Sequence, residues 1–102
     1  MAERPATRSA REWRVFWEAR GMRELATVVS AAWPPLAGGA GAEIRDTCLF
    51  RIASLLGSRA PAKALADELG RIRHELGDEP DALEDARAAH AVAAWFDEAA
   101  RA

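Results

Sequence analysis

The sequence predicts an all-α fold, a small helical bundle of four to five helices, and three observations predict it. Nearly a quarter of the 102 residues are alanine, and arginine supplies all but one of the fourteen Lys and Arg residues. Both are strong helix formers. Apolar residues recur at spacings of three and four, and no alternating strand pattern occurs anywhere. Helix start and stop signals punctuate the chain at intervals suited to helices of 11 to 19 residues. The alanine-rich, lysine-poor composition reads as GC-rich bacterial coding rather than as function.

Each element follows in order. Residues 1–8 are a polar, Pro-containing stretch expected to be a flexible lead-in, and 9–102 a single domain. Ser9 and Glu12 form an S-x-x-E capping box. A first helix, Ala10 to Arg20, carries Trp13, Phe16 and Trp17 on one side. A second, Met22 to Ala32, carries Leu25, Val28, Val29 and Ala32 on a side rotated well away from the first. One straight helix does not present both stripes to one core, so a break or kink is expected at Gly21. Trp33-Pro34-Pro35-Leu36 ends the second helix, because the residue before a proline avoids helical backbone. A loop, Ala37 to Gly41, leads to a third helix, Ala42 to Leu56. Its expected core face is Ile44, Cys48, Ile52 and Leu55, with Leu49 and Leu56 at the edge and Gly57-Ser58 as the stop. A fourth helix runs from Pro61 to Leu76 with a stripe of Leu65, Leu69, Ile72 and Leu76, capped by Gly77.

The last helix, about Ala82 to Ala100, is opened by Asp81 with Glu84 as a second capping pair. It carries two apolar stripes. One is Ala86, Ala89, Ala93, Phe96 and Ala100; the other is Ala88, Ala91, Val92, Trp95 and Ala99. A helix apolar over more than half its girth is buried on two sides. Its second cover must come from the N-terminal helix or from another subunit, and a subunit is the favoured expectation for Trp95.

Composition bounds function. Net charge is −2, which gives no bulk attraction to nucleic acid or to an acidic membrane. The longest uncharged run, Leu25 to Ala42, is broken by prolines and glycines and is not expected to span a membrane. The N-terminus lacks the apolar segment of a secretory signal, and Cys48 is the only cysteine, so a cytoplasmic location is expected.

Trp33, Pro35 and Leu36 close one helix in a Trp-x-Pro-Leu pattern, and Glu43 and Ile44 open the next. With the amphipathic helices that follow, this is similar to a group of small bacterial helical proteins of unknown function. The resemblance spans about two-thirds of the chain and implies a helical bundle. Where that group carries an acidic loop element, this chain has Gly38, Gly39 and Ala40.

Site chemistry is sparse. His74 and His90 fall on polar faces without a second ligand at helical spacing, and Cys48 falls on a core face. No catalytic set, metal site or cofactor is expected. A rigid corner of Trp33, Pro35 and Leu36 beside Glu43, Asp46 and Phe50 is the first candidate partner-binding surface, and the face around Trp95 is the second. Residues 1–23 hold six arginines against three glutamates, with aromatics interleaved. Residues 78–102 hold seven acids against Arg87 and Arg101. The expected function is a non-enzymatic protein-interaction module that binds another protein or itself as a homodimer. Two alternatives stand beside it. One is a toxin-neutralising or regulatory partner with an acidic contact face. The other is a nucleic-acid-associated protein working through the arginine-rich N-terminus.

Overall fold

A computed structural model describes residues 9–37 and 41–101. Residues 1–8, where the lead-in was expected, and most of the Ala37–Gly41 loop lie outside the described residues. Among those described the protein is all helix, with no strand. The order is α1 (Ala10–Phe16), a π-helical turn (Trp17–Gly21), α2 (Met22–Ala32), α3 (Pro34–Ala37), α4 (Ala42–Gly57), α5 (Ala62–Glu75) and α6 (Ala82–Ala99). None of these helices is long and apolar enough to cross a membrane.

The capping box at the start of α1 forms in full: Glu12 N–H donates to Ser9 Oγ at 3.1 Å, and Ser9 N–H to Glu12 Oε1 at 3.0 Å. The disturbance expected at Gly21 is present, and its form is a π turn rather than a chain break. Gly21 keeps helical backbone, φ −58° and ψ −50°, and Met22 N–H bonds back five residues to Trp17 O. A π turn adds one residue to the helix, which delays its phase by about 100°. That delay brings Leu25 and Val29 to within about 20° of Trp17 on the wheel, so both stripes serve one core. Gly21 is buried because the rings lie against it: a Cβ there meets Trp17 Cε3 at 2.6 Å and Phe16 Cε2 at 2.8 Å. The glycine is a close-approach residue, not a hinge.

Trp33 takes extended backbone, φ −133° and ψ 92°, as a residue before proline must. The chain then makes the single turn α3. In α4 the buried residues are Cys48, Leu49, Ile52 and Leu56. This corrects the expected face: Ile44 is 50% exposed, and Leu55 is only half-buried. On a helical wheel Ile44 stands about 95° from the centre of the buried set. The helix turns Leu49 and Leu56 inward instead. The expected stop at Gly57 is also displaced. Gly57 stays in the last turn, and Arg59 takes the left-handed position with φ 63°. There Ala60 N–H bonds Leu55 O at 3.0 Å, a Schellman closure.

α5 and α6 form the most extensive helix pair, joined by a closure in which Gly77 has φ 78°. Leu65, Leu69 and Ile72 face Ala88, Ala89 and Val92 in a core completed by Leu25, Val29, Trp33 and Leu36. Alanines on α6 bring the backbones close. α6 is buried on two sides, as its sequence requires, although Ala91 of the second expected stripe is exposed. α4 is clasped to α5 by Arg51. Its Nε donates to Glu68 Oε2 at 2.6 Å, and its two terminal nitrogens donate to Glu75 at 2.9 and 3.0 Å.

Candidate functional site

Trp33 and Leu36 do not form a surface corner. Both have 0% exposure. The indole N–H of Trp33 explains the depth: it donates to Asp85 Oδ1 at 2.8 Å across 52 residues of sequence. The same oxygen accepts from Arg73 Nε at 3.0 Å and Nη2 at 2.8 Å. Arg73 Nη2 also reaches Glu84 Oε1 at 2.6 Å, and the guanidinium lies 5.5 Å from the Trp33 ring centroid. Burial works against the Arg73 charge, but the bonds to Glu84 and Asp85 outweigh it and raise its pKa. Glu84 is therefore drawn to Arg73. The second capping pair forms in one direction only, from Glu84 N–H to Asp81 Oδ1 at 3.0 Å.

Arg73 is 6% exposed and Asp85 5%. Neither was singled out in the sequence, yet a signal was there. Arg73 stands four residues after Leu69, on the apolar stripe of α5, and Asp85 stands three and four before Ala88 and Ala89, on that of α6. Opposite charges on facing apolar stripes of consecutive helices announce a buried pair.

Trp95 is covered by its own chain. Its ring centroid lies 6.1 Å from that of Trp17 and 6.5 Å from that of Phe16. Phe96 stacks on Trp13 at 5.4 Å and on Trp17 at 5.7 Å. The indole N–H of Trp95 donates to Glu24 Oε1 at 3.1 Å, and Arg20 grips the same carboxylate at 2.8 and 3.0 Å. Hydrogen bonds from Arg20 first and Trp95 second hold the Glu24 carboxyl below its usual range. The interleaved N-terminal aromatics are thus a packing seam. Of the two covers expected for Trp95, the structure shows the internal one: the π turn aims Phe16 and Trp17 at α6, and the indole is half-buried against them.

The remaining candidates are on the surface. Glu43 and Asp46 are exposed, Pro35 is half-buried, and Phe50 is 69% exposed. Phe50 lines a cavity of about 420 Å³ between α4 and the N-terminal helix, with Trp17, Met22 and Ala53 as its apolar wall and Arg14 and Glu18 at its charged rim. Every other aromatic side chain is buried or half-buried within the fold.

His74 and His90 are exposed, and Cys48 is buried, where desolvation pushes its thiol pKa up. A thiol so placed is a poor nucleophile. Among the described residues no three His, Cys, Asp or Glu side chains come together closely enough to hold a metal ion. No protein-family model, no curated protein and no solved structure matches the chain.

Proposed function

We propose that the protein is a non-enzymatic interaction module that self-associates through the Phe50 face of α4. The observation that carries this reading is Phe50 itself: the one exposed Phe or Trp among the described residues, standing beside an apolar cavity large enough for a ring. A twofold interface must be complementary to itself, with every knob finding its hole on an identical patch. This patch holds both. Phe50 is the knob, and the cleft between Trp17, Met22 and Ala53 is the hole. Arg14 and Glu18 supply opposite charges at one rim, and a twofold axis passing between them would set each against its opposite on the second copy. Glu43 and Asp46 lie at the exposed start of the same helix and keep its outer end polar.

Phe50→Glu tests the reading. Light scattering on a sizing column is expected to show a wild-type dimer and a variant monomer, with helicity by circular dichroism unchanged. Aromatic anchors at interface centres are worth about 2 kcal/mol or more, so loss of at least 30-fold in dimer affinity is expected. A wild-type chain that stays monomeric at millimolar concentration overturns the reading.

A further inference from the structure

The Phe50 face is divided by size and by charge. Asp46, Phe50, Ser54 and Gly57 recur along α4 at spacings of four, four and three, with Ala53 beside them, so they share its outer stripe. An acid and a large ring fill the first half of the stripe, and small residues fill the second. Gly57 lines the 420 Å³ cavity beside Phe50 and also a neighbouring cleft of about 270 Å³. The walls of that second cleft include Trp13, Leu56 and Arg59. Trp13 thus stands beside the end of α4, and the N-terminal helix runs antiparallel to it. Arg14 and Arg59 therefore flank the Gly57 end of the stripe, while Glu18 lies one turn nearer Phe50 and Asp46.

These four charges are exposed and unmatched. Among the described residues Arg14, Glu18, Asp46 and Arg59 form no ion pair, whereas Arg20, Arg51 and Arg73 each hold a carboxylate. Gly57 is equally open. A Cβ there meets nothing within 4 Å. Alanine is the better helix former and would fit, so packing within the chain does not call for glycine. What glycine provides is room above the helix.

We infer that a second copy docks antiparallel, α4 across α4, about a twofold axis at Ala53 and Ser54, and that Asp46 and Arg59 fix this register by pairing between copies. The inference rests on the self-association reading. Phe50 stands three to four residues before the axis and Gly57 three to four after it, so the twofold seats each ring over the other copy's glycine. Running also between Arg14 and Glu18, the axis lays the acidic half of one face, Glu18 and Asp46, on the basic half of the other, Arg14 and Arg59. A parallel pairing sets ring against ring and like charge against like. Exposed ion pairs add little affinity, but like charges brought together exclude the wrong register, so these residues set specificity while Phe50 supplies affinity.

Charge reversal followed by sedimentation equilibrium of the full chain tests this. Asp46→Arg and Arg59→Glu each place two like-charge contacts in the homodimer, and each is expected to weaken it about tenfold with helicity unchanged. The two variants mixed in equal parts are expected to dimerise as the wild type does, because every contact in the mixed dimer again joins unlike charges. Gly57→Leu is expected to keep its helicity and to weaken the dimer about tenfold, since its side chain fills the seat of the ring. Added salt is expected to weaken the wild-type dimer severalfold. A wild-type dimer that Phe50→Glu abolishes but neither charge reversal weakens overturns the antiparallel register and leaves the self-association reading standing. A mixture no more dimeric than its two components does the same. A wild-type monomer at millimolar concentration overturns both.

Discussion

The chain builds the same three-part motif twice, a tryptophan N–H on a carboxylate that is also held by an arginine, and the two copies differ in depth. In one, Trp33, Asp85 and Arg73 close between α2, α5 and α6, with both charged side chains only 7% exposed. In the other, Trp95, Glu24 and Arg20 close between α6, α2 and the π turn, with the charged side chains 36% and 39% exposed. An arginine also lies over an aromatic ring in each, Arg73 over Trp33 and Arg20 over Phe16. The chemistry is shared, but water is not. In the deep copy an orphaned charge has nowhere to go, whereas in the shallow copy solvent replaces any lost partner. The deep motif therefore fixes how three helices meet, and the shallow one seals an aromatic seam.

The largest effect is expected at the deep motif. Asp85→Ala leaves Arg73 buried with Glu84 as its remaining anion, and breaking a buried pair from one side costs about 3 kcal/mol. Urea denaturation monitored by circular dichroism measures it. Replacing both partners, as Asp85→Leu with Arg73→Met, is expected to recover most of that loss, because no unpaired charge is then buried. A double variant as unstable as Asp85→Ala breaks the view that the orphaned charge is what costs.

Next comes Gly21→Ala, at the floor of the shallow motif. Alanine gains about 1 kcal/mol of helix propensity, but its methyl collides with the Trp17 and Phe16 rings, and overpacking costs about 1–3 kcal/mol. A net loss of about 1 kcal/mol is expected, with a change in tryptophan fluorescence as the seam shifts. A stabilised variant with unchanged fluorescence contradicts the packing described.

Acid acts on the carboxylates whose arginine partners hold them low. Glu24 is held below its usual range by Arg20 and then Trp95, and Glu75 by Arg51. Burial pushes Glu68 upward, but bonds from Arg71 and Arg51 outweigh it, and its net shift is also downward. A carboxyl with a lowered folded pKa stabilises fully above the unfolded value, about 4.3, and loses that contribution as pH falls through the folded value. Stability from these groups is expected to be flat between pH 7 and pH 5 and to fall below about pH 4. The smallest effect is expected from Glu24→Gln at neutral pH. The amide oxygen still accepts from Trp95, and solvent reaches Arg20, so the midpoint of denaturation should barely move.

Helices and their order were legible in the sequence because caps, prolines and periodic stripes are local. The phase jump between Trp17 and Leu25 was legible too. Its resolution was not, since a break and a π turn answer the same mismatch, and only the fit of Phe16 and Trp17 against α6 selects between them. Ile44 and Leu55 were placed inward because a stripe of one helix does not say which edge its neighbours cover. Trp33 looked like a surface anchor because its carboxylate partner lies 52 residues away. Phe50, Glu43 and Asp46 lay outside the expected core face of their helix, and all three are exposed. With Trp33 buried and Trp95 half-buried against its own chain, Phe50 is left as the exposed member of the Trp and Phe set among the described residues.

Isotope-filtered NMR on a mixture of ¹³C-labelled and unlabelled chains tests that point most directly. Self-association through α4 predicts cross-peaks from the Phe50 ring of one copy to the Met22 methyl and the Trp17 ring of the other, lost on dilution below the dimer affinity. A sample with no peaks between chains at millimolar concentration, or with peaks only at other faces, contradicts it.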